Sequence, residues 1–154
     1  MKFQWSDYLE VARELEKSGS KLPPSDISVA MLRACIGRAY YASFHTAKQY
    51  LEKKKGYNLK KGGEYSHQEI FQILQKEENK KDIYVGDELE LLWYARRSAD
   101  YFIDYKRYDR KSKILIPVTQ LQDLKNEARL SLKRSHGIIK DLNDLTEAKL
   151  SKTK

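Results

Sequence analysis

Residues 33–45 read RACIGRAYYASFH. Met31, Ala34, Arg38, Tyr41 and His45 recur around this stretch at spacings of three and four, which sets them along one side of a helix. Asp26 or Ser28 can cap that helix, and it runs to about Lys54. The face is otherwise apolar, so Arg38 and His45 need partners there. Arg38 and His45 lie roughly 10 Å apart along the axis at 1.5 Å per residue. Their side chains can reach a common point, or meet across a two-fold axis.

The rest of the chain reads almost entirely as helix. Residues 5–17 place Trp5, Tyr8, Ala12 and Leu15 on one face, and SGSKLPPSD then breaks the pattern. KKKGYNLKKGGEY, with five lysines and three glycines, reads as a loop. Ser66 and Glu69 have capping-box spacing and open a short helix with Ile70, Phe71 and Leu74 inward. KEENKKDIYVGD reads as a further loop, and a fourth helix is expected from about Glu88 to Tyr108. ILIPV, residues 114–118, is the one stretch that could be a strand. Thr119 and Gln122 repeat the capping-box spacing and start a last helix through Leu121, Leu124, Ala128, Leu132, Ile139, Leu142 and Leu145, with a basic end expected to fray. The expected fold is all-α, an antiparallel bundle of about five helices. Residues 1–110 form the core, and residues 111–154 add the C-terminal helix to the same domain. Two of the helices are long for a small domain, so a homodimer is expected.

At 154 residues the chain is long enough for one domain with a real core. No apolar run approaches a membrane span and no signal-peptide core is evident, so a soluble, cytoplasmic protein is expected. Cys35, among Ala34, Ile36 and Ala39, reads as a small core residue and not as a nucleophile. The net charge of +8 favours anionic partners such as nucleic acid or nucleotides. No phosphate-binding glycine loop, nucleophile elbow or paired histidines at helical spacing are present, so neither a cofactor nor a metal is expected.

The fourth helix repeats the oddity of the second. Leu89, Leu92, Arg96, Ala99 and Ile103 form a stripe that Arg96 interrupts. Asp100 stands at i+4, where it can pair with Arg96. A charge on an apolar stripe costs several kcal/mol unless paired. A structural ion pair satisfies one such residue. Two arginines, a histidine and several tyrosines on two inward stripes instead favour a polar cleft.

RAYYASFHTAKQYL, then SHQEIF, then ARRSADY, preceded by WSDYLEVARELE, resembles the prokaryotic HEPN superfamily over roughly residues 3–108. The resemblance implies a dimeric helical bundle. It also implies, for many members, a metal-independent endoribonuclease acting as a toxin or in antiviral defence, often beside a minimal nucleotidyltransferase as antitoxin partner. The family's site is an arginine followed four to six residues later by a histidine, paired across the dimer. RNA cleavage needs a base for the 2′-hydroxyl, an acid for the leaving oxygen and charge on the phosphate, which His and Arg supply. Here Arg96 is followed by Tyr101 where the family has histidine, while Arg38 and His45 meet the spacing on the earlier helix. Either the site is composite or the nuclease is degenerate and binds RNA, nucleotide or a partner protein.

The implied catalytic set is Arg96 and Arg38 on the phosphate, His45 as acid/base, Asp100 orienting Arg96, and Tyr101 donating a hydrogen bond. Arg97, Tyr41, His67 and Tyr105 are the expected RNA- or nucleotide-binding residues. Tyr101 and Tyr105 are candidates for modification by a partner enzyme. Lysines 53, 54, 55, 60 and 61 read as a solvated loop that could also guide RNA.

Overall fold

The computed structural model describes residues 4–59 and 65–150, with only the backbone of residues 65, 66, 149 and 150. Five helices carry the fold: α1 (Asp7–Lys21), α2 (Asp26–Lys54), α3 (Tyr65–Gln75), α4 (Lys80–Tyr101) and α5 (Leu121–Leu150). A two-stranded hairpin, β1 (Lys106–Asp109) with β2 (Ile114–Pro117), separates the last two. The chain is thus a helical bundle with one small sheet. Among the described residues no helix is long and apolar enough to cross a membrane.

α2 is the central element and touches every other helix. Its cap is Ser25, not Asp26 or Ser28. The Ser25 side chain accepts from Ser28 N at 3.2 Å while Ser25 N donates to Ser28 Oγ at 3.0 Å. The serine pair therefore satisfies two terminal donors reciprocally. Two apolar clusters lie along α2. One gathers Leu32, Cys35, Ile36 and Ala39 with Ala12, Ala95, Leu124 and Ala128. The other gathers Tyr40, Phe44, Ala47 and Leu51 with α3, α4 and the later half of α5. Cys35 lies buried as expected, and burial pushes its thiol up to about 12.

The helix directions refine the expected antiparallel arrangement. α1 and α4 run antiparallel to α2, and α3 runs parallel to it, with Tyr40 beside His67 and Lys55 beside Glu77. Trp5 meets His45 and Gly19 meets Met31 across α1 and α2, and Tyr41 meets Arg96 while Lys55 meets Asp82 across α2 and α4. α2 and α5 run parallel. Cys35 lies against Ala128, Ser43 against Ser135, and Thr46 with Gln49 beside Asn143. Inside this parallel pair, Ser135 Oγ donates to Ala39 O at 2.9 Å and Ser43 Oγ donates to Ser135 Oγ at 2.8 Å. These buried hydroxyls are satisfied without water.

Several boundaries differ from the sequence expectation. α4 begins at Lys80, inside the stretch read as a loop, where the Asn79 side chain accepts from Lys81 N at 2.9 Å. It ends at Tyr101, so Ile103 is 94% exposed beyond it and does not continue the apolar stripe. Arg33 fixes that end by donating to the carbonyls of Ser98, Ala99, Phe102 and Ile103. Residues 106–109, read as helix, form β1, with Lys106 opposite Pro117 and Tyr108 opposite Leu115. At α3 the helix starts at Tyr65, which puts Ser66 inside the first turn and outside the described side chains. At α5, Gln122 donates to Asn126 rather than forming a box with Thr119. Lys55 is not a solvated loop lysine, since its Nζ lies 2.6 Å from Glu77 and 2.9 Å from the fully buried Asp82. Lys60 and Lys61 lie outside the described residues.

Candidate functional site

The polar groups of α2 and α4 converge where Tyr41 faces Arg96. Arg96 is only 8% exposed. Its Nη2 donates to Tyr41 Oη at 2.7 Å and to Tyr101 Oη at 2.8 Å. Its Nε lies 2.7 Å from Asp100 Oδ2, one helical turn on, with the N–H not aimed at that oxygen. The guanidinium carbon stands 4.7 Å from the Tyr101 ring centre, 5.3 Å from Tyr41 and 6.0 Å from Tyr40. Burial works against the charge, but Tyr41, Asp100 and Tyr101 outweigh it and hold the group above its ordinary value. Arg96 is therefore a permanent cation inside a cage of aromatic faces and hydroxyls.

His67 joins this cluster from the first turns of α3. It is half-buried and is not a loop residue. Its Nδ1 is 2.6 Å from Tyr40 Oη, and its ring lies 4.4 Å from Phe44 and 6.3 Å from Tyr41. Burial raises the Tyr40 hydroxyl well above its ordinary value, which keeps it protonated, and a protonated hydroxyl can donate to Nδ1 or accept from it.

His45 lies one turn from Tyr41, with the rings 6.2 Å apart, and stacks on Trp5 with centres 3.4 Å apart. Burial, helped by Lys48 and His67, lowers its imidazole to about 4. At neutral pH the ring is uncharged, so it holds no imidazolium proton to give a leaving oxygen. Arg38 is exposed, with its guanidinium 5.1 Å over Tyr8. It shares the α1-facing side of α2 with His45 and does not point into an apolar stripe.

The structure thus brings Arg96, Asp100, Tyr101, Tyr41 and His67 together, with His45 at the edge. It separates two others. Arg97 is exposed, with its guanidinium 4.8 Å over Trp93. Tyr105 is 4% exposed, packed among Ala95, Ala99, Leu124 and Ala128 at the foot of the hairpin. It cannot stack on a base there or reach a modifying enzyme, because the turn out of α4 folds it under α5. Sequence reasoning missed Tyr40, Trp5 and Arg33. The missing glycine or asparagine after Tyr101 is the signal that a remote donor must cap α4. Among the described residues no three His, Cys, Asp or Glu side chains gather as a cation site. No family model, curated protein or solved structure matches the chain.

Proposed function

We propose that the chain is a HEPN-like module acting on RNA, and that the Arg96 cluster is a phosphate site for metal-independent cleavage. The observation that carries this reading is the Arg96 cage. A fixed cation faces two tyrosine hydroxyls, with an imidazole bonded to Tyr40 on the neighbouring helix. Arg96 Nη1 has no hydrogen-bond partner among the described residues and is the donor left for a phosphate oxygen. In the step proposed, the 2′-oxygen bonds to phosphorus as the P–O5′ bond breaks. The 2′-proton passes to an imidazole, and a hydroxyl donates to the 5′-oxygen. Tyr101, 64% exposed, is the hydroxyl that substrate can reach. His67 takes the imidazole role in the tautomer that donates from Nδ1 to Tyr40 Oη and leaves Nε2 to accept the 2′-proton, whereas the proton affinity of His45 is low. A toxin or defence setting, a homodimer and a nucleotidyltransferase-type partner belong to the same proposal.

One observation favours a second, non-catalytic reading. Arg96 is buried and already bonded to α2 through Tyr41, so it also serves as a clamp between helices. Incubation of the protein with RNA and EDTA separates the two. EDTA-resistant cleavage leaving 2′,3′-cyclic phosphate ends is expected, reduced about 100-fold or more in Arg96→Lys and about tenfold in Tyr101→Phe. A folded protein that leaves RNA intact, with its native partner present, would establish the binding reading instead.

A further inference from the structure

A groove of about 390 Å³ runs between α2 and α5 on the far side of Trp5 from the Arg96 cluster. Gln4, Trp5, Thr46, Gln49, Lys53 and Asn143 line it. A second hollow of about 160 Å³ continues it along the same helices and adds Lys54 and Thr146. From Thr46 to Lys54 the groove follows α2 for about 12 Å at 1.5 Å per residue. That is the length of roughly three stacked bases at about 3.4 Å each.

The lining is selective. Among the described residues it contains no carboxylate, although the chain has 22 acidic residues. Neither the Gln49 nor the Asn143 side-chain amide makes a hydrogen bond, and Lys53 makes no ion pair, among the described residues. Thr46 Oγ1 donates to Ala42 O and Thr146 Oγ1 to Leu142 O, each at 2.8 Å, so both hydroxyl oxygens remain acceptors. Trp5 stands at the head of the groove and stacks on His45, which connects it to the candidate site through Tyr41. Free amides and hydroxyl acceptors suit the edges of unpaired bases. An aromatic wall and the Lys53 ammonium suit their faces and their phosphates.

We propose that the α2–α5 groove is a subsite for single-stranded RNA, which enters along Lys53 and Lys54 and approaches the Arg96 cluster past Trp5. The choice of RNA as ligand rests on the function proposed above. The test therefore reads binding without cleavage. The full chain is titrated into a fluorescent 2′-O-methyl RNA 12-mer, which has no 2′-hydroxyl to attack, and anisotropy is followed.

The double variant Gln49→Glu/Asn143→Asp keeps shape and places two negative charges in the groove. Gln120→Glu/Gln122→Glu makes the same charge change at the other end of α5. The groove variant is expected to bind about tenfold more weakly than wild type, and the control variant within about twofold of it. Equal losses in both variants, no loss in the groove variant, or no binding of the 12-mer by wild type would each overturn the proposal. A chain that cleaves no RNA yet loses 12-mer binding only in the groove variant would refute the cleavage reading and uphold the groove.

Discussion

Arg96 and Arg38 illustrate how neighbours decide what a charge does. Arg96 is enclosed by tyrosines and an aspartate, and its charge is fixed. Arg38, on a similar helical pattern, turns out to the surface over Tyr8. Spacing identifies which residues share a side of a helix but not which neighbour covers that side, and here the start of α1 covers it. For the same reason His45 meets Trp5 and loses its charge. Its folded ring takes a proton at about 4, against an ordinary 6.5. Between those values the unfolded chain binds more protons, so stability falls as pH drops. The stability present above pH 6.5 is lost towards pH 4, on the order of 1–2 kcal/mol once partial exposure is allowed for. His45→Gln should flatten this limb in urea titrations run from about pH 7 to about pH 4.5. An acid limb equally steep in the variant would show that His45 is not its source. The members of the Arg96 cluster were legible because RAYYASFH and RRSADY each place polar groups at helical spacing. The loss of Tyr105 was not, because it depends on where α4 stops.

That stopping point is a property of the element. α4 has no glycine near its end, and Arg33 from α2 supplies the missing donors to four carbonyls. Its start is equally tertiary. Lys80 and Lys81 sit unfavourably against the helix dipole, and Gly86 lowers local propensity, so residues 76–87 read as a loop. What overrides propensity is packing. Gly86 lets α3 approach so closely that a Cβ there would lie 2.9 Å from both Phe71 O and Gln75 N. Gly86→Ala gains about 1 kcal/mol of helix propensity but must push two backbones apart. A net destabilisation of about 1–2 kcal/mol is expected in urea unfolding. Gly137→Ala, where the added Cβ meets nothing within 4 Å, should instead stabilise by about 0.5–1 kcal/mol. Equal effects at the two glycines would mean that the α3–α4 approach is not tight. α2 and α5 were legible almost to their ends, but α1 runs four residues past the expected break, through Ser18, Gly19, Ser20 and Lys21, because Gly19 packs closely against Met31 and Leu32 of α2.

At the scale of the molecule, α2 and α5 pair in parallel because each runs antiparallel to α4. A direct turn after α4 would return the chain antiparallel to α4, and α5 does run that way, which sets it alongside α2 in the same direction. The sequence marks five helices, but it carries no mark of which ones run together. This pairing makes α5 part of both apolar clusters and not an addition to a finished core. Leu124 and Ala128 complete one cluster, and Ile138 and Leu142 complete the other. Burying Leu124, Ile138 and Leu142 contributes roughly 5–9 kcal/mol at about 1.5–3 kcal/mol each. That is comparable with the entire stability of about 5–15 kcal/mol expected of such a domain. Without α5, the Ser135 bond to the Ala39 carbonyl is lost and one face of α2 opens to water. A chain ended at Val118 is therefore expected not to fold, despite keeping all of the Arg96 cluster. Its far-UV circular dichroism should lack a cooperative thermal transition, and it should bind a hydrophobic dye that the full chain does not. A sharp transition in the shortened chain would show instead that residues 1–110 carry a self-sufficient core, and that α5 only lies upon it.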